Sequence, residues 1–155
     1  MKSPMNDPND RFNELIAALK DRGYRMTPQR LELVRVITTS EGHPSASQIY
    51  ETIRNQFPTM SQATVYNTLS LLKEMNQILE IDLHDDSHYD GNRPEPHPHI
   101  ICIQCNRIVD GNFDLDGNMI QRLEETSGFH IIRSQFAFYG LCPNCRSKEK
   151  ASVND

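Results

Sequence analysis

Residues 61–83 read SQATVYNTLSLLKEMNQILEIDL, and this stretch decides the fold of the first half of the chain. Ser61 can cap a helix, and Val65, Leu69 and Leu72 recur at helical spacing, which gives one apolar stripe. After the helix, apolar residues alternate with acidic ones, which is the period of a strand. The stretch therefore predicts a helix followed directly by a short β-hairpin.

Three further helices are predicted before this stretch, each from its start signal. We expect Asp10 to cap the first, Thr27 followed by Pro28 to open the second, and a capping box from Ser45 to Gln48 to open the third. Three helices, a turn-linked fourth and a β wing follow one another in the order of a winged helix-turn-helix domain.

A break follows the hairpin, because residues 91–98 contain three prolines and cannot be helical. Beyond it we expect mixed α/β structure, with a helix ending at Gly128, a strand from His130 to Tyr139 and a loose charged tail from Arg146. The predicted class is α+β, and the predicted divisions are a winged-helix DNA-binding domain over 1–90, a hinge over 91–98 and a small α/β domain over 99–155.

Charge limits the function classes. The 155-residue chain has 16 Lys and Arg against 21 Asp and Glu, a formal net charge of -5, which excludes a globally basic nucleic-acid coat. Any DNA contact must be local, and residues 20–35 supply a patch with five basic and two acidic residues. No apolar run approaches the roughly 18 to 20 residues of a membrane span, and the N-terminus has no apolar signal core. We therefore expect a cytoplasmic protein without a membrane partner.

A recognition helix needs hydrogen-bonding side chains on its outer face, because these meet base edges and phosphates in the major groove. The helix that begins after Ser61 and the basic patch offer such side chains. The residues that we expect to contact DNA are Arg25, Arg30, Gln62, Thr64, Tyr66, Asn67 and Lys73.

Four cysteines form two Cys-x2-Cys pairs, Cys102 with Cys105 and Cys142 with Cys145. Two such turns can complete a tetrahedral thiolate shell, which is the geometry of structural Zn²⁺. Two disulfides, or a Cys-x2-Cys redox centre, are alternatives to zinc. In a further alternative the cysteines bind zinc and their thiolates are themselves the peroxide sensor.

A second constellation contains imidazoles and carboxylates. His97 and His99 alternate in an extended segment and so can face one ion, and His43, Asp90 and Asp110 are further candidates if the hinge folds back. A thiolate-free set of this kind suits Fe²⁺ or Mn²⁺, although Zn²⁺ or Co²⁺ can also bind it. We expect His84, His88 and His130 to be surface residues without a metal.

From about Tyr24 to Arg146 the chain resembles the ferric uptake regulator family. The segments that carry this resemblance are Arg25-Met-Thr-Pro-Gln-Arg30, Gly42-His-Pro, Ala63-Thr-Val-Tyr-Asn67, His97-x-His99-Ile-Ile-Cys-x2-Cys105 and Tyr139-Gly-x-Cys-x2-Cys145.

The resemblance implies a dimeric, metal-dependent repressor whose second domain forms the dimer and which binds a palindromic double-stranded operator. It implies structural Zn²⁺ at the four cysteines and a regulatory Fe²⁺ or Mn²⁺ at His43, Asp90, His97, His99 and Asp110.

Within the family the chain looks most like the peroxide-sensing branch. Asp110 stands where iron-sensing members usually carry Glu, and Asn67 stands where they usually carry Arg. In that branch, iron-catalysed oxidation of the ligands corresponding to His43 or His97 releases DNA.

Two other functions remain as alternatives. The nearer is an iron-responsive repressor on the same scaffold. The remoter is a metal-dependent hydrolase, but no Glu or other base stands beside the histidines in a recognisable hydrolase motif, so we expect no enzyme.

Overall fold

A computed structural model describes residues 7–83, 86–111 and 116–152. The chain divides into two compact units, Met1–Pro94 and Glu95–Asp155. The first unit contains α1 (Pro8–Asp21), α2 (Pro28–Thr39), α3 (Ala46–Arg54), α4 (Gln62–Glu74), β1 (Leu79–Asp82) and β2 (Ser87–Asp90). The second contains β3 (Pro98–Cys102), β4 (Ile108–Asp110), α5 (Gly117–Ser127), β5 (Phe136–Gly140) and α6 (Pro143–Ser152).

Local capping explains where the helices of the first unit begin. The side chains of Thr27, Ser45 and Ser61 each accept a hydrogen bond from the backbone N–H three residues on, and Ser45 forms a full capping box with Gln48. These three predictions are confirmed. The prediction for α1 is wrong, because Asp7 is its cap and Pro8 its first residue, so the same cap-then-proline signal starts the helix earlier than Asp10.

The helices of the first unit enclose one apolar core. The stripe predicted for α4 contributes to it, since Val65, Leu69 and Leu72 are fully buried. The fully buried residues of the other helices include Leu15, Leu19, Leu33, Ile37, Ile49 and Ile53. The apolar stripe of α4 therefore faces inward, which leaves its polar side chains for other partners.

The hairpin after α4 is antiparallel, with Leu79 opposite Asp90 and Asp82 opposite Ser87. Its second strand also contacts the segment before α3, because the N–H of Tyr89 donates to the carbonyl of Pro44 (3.0 Å) and Ser45 forms a bridge with His88. The hairpin thus fixes the position of the chain just before α3.

The second unit is built on a three-stranded sheet in the order β4-β3-β5. Strand β3 runs antiparallel to β4, with His99 opposite Asp110, and parallel to β5, with Ile100 opposite Phe138. Because side chains alternate across a sheet, His99 and Ile100 point to opposite faces. Ile100, Val109 and Phe138 are exposed on one of them.

Two predictions for the second unit are wrong. Residues 130–135 are not in a strand, since β5 begins at Phe136 and all five residues on that edge of β3 pair with Phe136–Gly140. Residues 146–152 are helical rather than a loose tail, because α6 begins at Pro143 and extends to Ser152. The helix that ends at Gly128, which has a left-handed φ of 74°, is confirmed.

Within the residues that the model describes, no helix is long and apolar enough to cross a membrane. The surface prediction for His84 falls outside those residues.

Candidate metal centres and nucleic-acid interface

The four cysteines form one cluster in the second unit. The four sulfur atoms all lie within 4.8 Å of one another, and they belong to Cys102, Cys105, Cys142 and Cys145. The sulfur atoms of Cys105 and Cys142 are 3.8 Å apart. Four thiolates at about 2.3 Å from a tetrahedral Zn²⁺ stand about 3.8 Å from one another. All four cysteines are free thiols, so the cluster fits structural zinc and not two disulfides.

Local backbone structure prepares these sulfurs for a cation. The N–H of Cys142 donates to the sulfur of Cys102 (3.3 Å), which lowers the pKa of Cys102 to about 6. The N–H of Cys145 donates to the sulfur of Cys142 (3.4 Å) at the start of α6 and lowers the pKa of Cys142. Hydrogen bonding to the Cys142 sulfur raises the pKa of Cys145 to about 12. Without metal, therefore, the Cys145 thiol keeps its proton at neutral pH, and a divalent cation must displace it.

In the first unit, His43 and Asp90 form a pair. The Nδ1 atom of His43 lies 3.7 Å from Oδ2 of Asp90, and both residues are buried. His43 has a left-handed φ of 58°, a conformation that costs a non-glycine residue about 1–3 kcal/mol and is concentrated at functional sites. The carbonyl oxygen of His43 also accepts a hydrogen bond from Nδ1 of His88 (2.8 Å).

The second carboxylate oxygen of Asp90, Oδ1, accepts two backbone hydrogen bonds. Oδ1 of Asp90 accepts from the backbone N–H groups of Asn92 (2.9 Å) and Arg93 (3.2 Å). These bonds fix the carboxylate so that Oδ2 faces His43.

In the second unit, His97 and His99 converge on one carboxylate. Nε2 of His97 lies 3.2 Å and Nε2 of His99 3.5 Å from the same oxygen, Oδ1 of Asp110. The two rings are buried and their centroids are 4.3 Å apart. The predicted side chains therefore meet, because β3 and β4 pair His99 with Asp110 and His97 lies two residues earlier on the same side.

The tautomer of His97 is fixed by its outer contact. Its Nδ1 is 2.8 Å from the carbonyl oxygen of Glu95, which can only accept, so Nδ1 carries the hydrogen and Nε2 has the lone pair in the neutral ring. A cation held between this lone pair and Asp110 satisfies both groups. Imidazole and carboxylate donors without thiolate fit Fe²⁺ or Mn²⁺.

The predicted recognition helix exposes its polar side chains. Gln62, Thr64, Tyr66 and Asn67 are exposed on α4, with Tyr66 at 41%. Lys73 lies in the last turn of α4 and is ion-paired with Glu80 of β1. The candidate contacts are therefore concentrated in the first half of the helix, which is the end that a recognition helix presents to base edges.

Beside α4, Arg30 lines a cavity of about 330 Å³ together with Tyr24, Thr64 and Asn67. Its guanidinium carbon lies 5.6 Å from the centre of the Tyr24 ring, and its Nη1 donates to the carbonyl of Arg25 (2.5 Å). The Nε atom of Arg30 is buried without a hydrogen-bond partner among the described residues. An anionic oxygen in the cavity could accept this hydrogen bond.

His88 is a site residue that the sequence interpretation missed. It was expected on the wing surface, but it is half-buried and binds the His43 carbonyl, so that prediction is wrong. The sequence contained a sign of this contact, because side chains alternate along a strand and His88 therefore lies on the same side of β2 as Asp90. His130 is exposed, with Nδ1 3.0 Å from Oε1 of Glu124.

Residues 21–139 match the sequence model of the ferric uptake regulator family. The chain belongs to the ferric uptake regulator family. The match spans both units and includes the predicted regulatory ligands and the first cysteine pair. The α+β class predicted from the sequence is confirmed.

Relatives in this family are named as regulators. The "Peroxide-responsive repressor PerR" of Staphylococcus aureus is 36% identical over 138 residues, which cover 88% of this chain and 93% of the relative. A solved ferric uptake regulator from Francisella tularensis with iron is 28% identical, covers 80% of this chain and 96% of that one, and has a TM-score of 0.64. A zinc uptake regulator solved with zinc and DNA, at 23% identity and a TM-score of 0.70, covers 94% of this chain and 99% of that one and supports the fold. This chain is thus a member of a family of metal-dependent, DNA-binding regulators.

Proposed function

We propose that the protein is a homodimeric transcriptional repressor that binds its operator with a regulatory metal and releases it when hydrogen peroxide oxidises that site. The observation that carries the proposal is the convergence of the His97 and His99 nitrogens on one oxygen of Asp110, in a family of metal-dependent regulators. The relatives named as peroxide-responsive repressors support the peroxide signal.

The proposed regulatory ligands come from both units. His43 and Asp90 offer one nitrogen and one carboxylate, and the second unit adds two nitrogens and the Asp110 carboxylate. Neither set completes the coordination of Fe²⁺ or Mn²⁺, so we propose that the five residues bind a single ion. These five residues would hold the ion, and a six-coordinate ion would then have room for a small molecule such as peroxide. Metal binding then links the DNA-binding unit to the second unit.

The histidines are the proposed targets of oxidation. Bound Fe²⁺ would catalyse cleavage of the O–O bond of hydrogen peroxide beside the imidazoles, and the two electrons that reduce the peroxide come from the oxidised imidazole. A ring carbon of His43 or His97 exchanges its C–H bond for a C–O bond, and the other peroxide oxygen leaves as water. The altered ring is a poorer nitrogen donor, so metal affinity falls and the linkage between the units is lost.

A homodimer is supported by the second unit's uncovered apolar side chains. Helix α5 has no buried residue, and Leu123, Phe129, Ile132 and Phe138 are each between 48% and 90% exposed. In the described sheet β5 is an edge strand, which offers unpaired backbone groups to a second copy. A two-fold dimer presents two recognition helices, and the matching DNA is a palindrome.

The operator contacts are proposed at the first half of α4 and the adjacent basic patch. We propose that Tyr66 and Asn67, which are exposed on α4, contact base edges. The other proposed contacts are Arg25, Arg30, Gln62 and Thr64, together with Lys73 in the last turn of α4. Because the proposed contacts include Arg and Lys side chains that neutralise phosphates, we expect binding that weakens steeply with salt. A cytoplasmic location follows from this role.

The test is a titration of operator DNA with protein loaded with Fe²⁺ or Mn²⁺, with and without hydrogen peroxide, followed by mass spectrometry of the histidine peptides. We expect both forms to bind, and only the Fe²⁺ form to dissociate with peroxide and to gain one oxygen atom on a peptide containing His43 or His97. His130→Ala is the matched control, because this exposed imidazole lies outside both metal clusters, and it should respond like the wild type.

The outcomes separate the competing functions. Release controlled by iron level alone, with unmodified histidines, supports the iron-responsive repressor. Release accompanied by zinc loss and cysteine oxidation, with unmodified histidines, assigns sensing to the thiolates. Hydrolysis without operator binding rejects a repressor altogether.

A further inference from the structure

Arg11 is a buried cation on the first helix. Its side chain is 2% exposed although α1 is an outer, amphipathic helix of the first unit. Burial of a guanidinium is tolerated only where its N–H groups have acceptors. Arg11 finds them far along the chain, at the carbonyl of Gly91 (2.8 Å from Nε) and at the carbonyl of Gln77, as well as at Glu14 (2.9 Å from Nη1).

The contact with Gly91 acts on the carboxylate of Asp90 through one peptide group. The carbonyl of Gly91 and the N–H of Asn92 belong to the same planar unit, so holding one orients the other. That N–H donates to Oδ1 of Asp90 (2.9 Å). A charged donor on the carbonyl also polarises the peptide and strengthens its N–H as a donor.

Gly91 is restrained from its other side as well. A Cβ built on Gly91 would lie 1.9 Å from Cγ2 of Ile37 and 3.0 Å from its carbonyl oxygen, so the backbone of Gly91 lies directly against α2. The peptide between Gly91 and Asn92 is therefore fixed by α2 on one side and by Arg11 on the other.

The second carbonyl that Arg11 binds, that of Gln77, connects the Gly91–Asn92 peptide to α4. Gln77 lies three residues beyond the end of α4, and its N–H donates to the carbonyl of Leu72 in the last turn of that helix (2.9 Å). One guanidinium thus binds both the end of α4 and the peptide that holds Asp90.

We infer that Arg11 is a positioning residue, which orients Asp90 for metal binding and couples it to the end of α4. The inference rests on the proposed role of Asp90 as a metal ligand. Arg11 does not touch the metal, and it acts only through the peptide after Gly91.

The first test needs no regulatory metal. Amide hydrogen exchange of Asn92 is measured by NMR in the zinc-loaded full-length protein and in its Arg11→Met and Glu14→Gln variants. In Arg11→Met the Asn92 amide should exchange on the order of tenfold faster, as expected when a charged hydrogen bond that fixes it is lost. Glu14→Gln removes only the exposed ion pair of Arg11 and should leave Asn92 unchanged.

The second test measures Mn²⁺ affinity of the same proteins by calorimetry. We expect Arg11→Met to raise the Kd for Mn²⁺ about 10- to 100-fold, the usual effect of losing a group that orients a ligand. Leu15→Ala is the structural control, because it opens the core of α1 but leaves the Arg11 hydrogen bonds in place. It should lower the melting temperature without changing the Kd.

Arg11→Lys keeps the charge but cannot span two carbonyls as a guanidinium does, so its Kd should lie between those of the wild type and Arg11→Met. If Arg11→Met does not fold, Arg11→Lys carries both measurements.

The outcomes distinguish this inference from the proposed function. Unchanged exchange of Asn92 and unchanged Mn²⁺ affinity in the Arg11 variants, with binding abolished by Asp90→Ala, overturn the inference alone. An equal loss of affinity in Leu15→Ala also overturns it, since the role of Arg11 would then be general stability. Mn²⁺ binding that Asp90→Ala leaves intact instead overturns the proposed ligand set.

Discussion

Replacing Gly91 by alanine should destabilise the first unit and weaken metal binding together. The φ of Gly91 is not in the left-handed region, so the added methyl acts by collision and not by backbone strain. Its Cβ would lie 1.9 Å from Cγ2 of Ile37, whereas carbon atoms in contact stand about 3.5–4.0 Å apart. The two chain segments must therefore separate by about 1.6 Å or more.

The size of the effect follows from the surroundings. Ile37 is 1% exposed, and its backbone carbonyl carbon and oxygen lie 3.2 and 3.0 Å from the same Cβ position, so rotating the side chain cannot relieve the clash fully. Overpacking a tight core costs about 1–3 kcal/mol, and this site belongs at the upper end. For a unit of this size, about 3 kcal/mol lowers Tm by roughly 10–25 °C.

The assay is urea unfolding of zinc-loaded protein, with Mn²⁺ affinity measured in parallel. Gly117→Ala is the matched control, because nothing lies within 4 Å of a Cβ there, and it should be neutral or slightly stabilising. Ile37→Ala alone should cost about 2–5 kcal/mol. The double variant Ile37→Ala with Gly91→Ala should lose at least about 1 kcal/mol less stability than the sum of the two single losses, because the Cγ2 methyl of Ile37 that meets the new Cβ is gone.

Two results would refute this reasoning. One is a Gly91→Ala protein with the wild-type midpoint and Mn²⁺ affinity. The other is strict additivity of the two substitutions, which would mean that the methyl does not meet Ile37.

Three further predictions concern the cysteine cluster, a helix cap and the cavity beside Arg30. Because the pKa of Cys145 is about 12 without metal and zinc requires its thiolate, zinc binding at neutral pH should release at least one proton and tighten as pH rises, which calorimetry in buffers of different ionisation enthalpy measures. Ser45→Ala removes the capping box of α3 and should lower the free energy of unfolding by about 1 kcal/mol in urea titrations, whereas an unchanged midpoint would contradict the role of the cap. Arg30→Gln should weaken operator binding and reduce the slope of log K against log salt by about one per protomer, while Arg122→Gln, whose partner is Asp116 in the second unit, should leave the slope unchanged.

The helix starts and the metal-binding motifs could be read from short stretches of sequence. The caps at Thr27, Ser45 and Ser61 each join groups three residues apart, so the interaction is complete within one turn. A Cys-x2-Cys turn also brings its sulfurs together locally. The same cap-then-proline rule also applies at Asp7 and Pro8, where preferring Asp10 produced the error.

The errors of the sequence interpretation arose where a segment depends on a distant partner. Residues 130–135 contain two isoleucines and resemble a strand, but a strand needs a neighbour, and β3 is matched along its length by Phe136–Gly140. Residues 146–152 are rich in charge and were expected to be a tail, but α6 is already started by Pro143, directly after Cys142. Neither outcome is encoded in the composition of the segment itself.

The sequence by itself determined which residue types can bind metal and DNA, because donor chemistry and spacing within a few residues are local properties. Only the tertiary structure decided that Nε2 of His97 and Nε2 of His99 meet the same oxygen of Asp110, and that Arg11 holds the peptide after Gly91, 80 residues away. These contacts depend on strand register and helix packing. Both are set by burial of the whole core and not by any single stretch of chain.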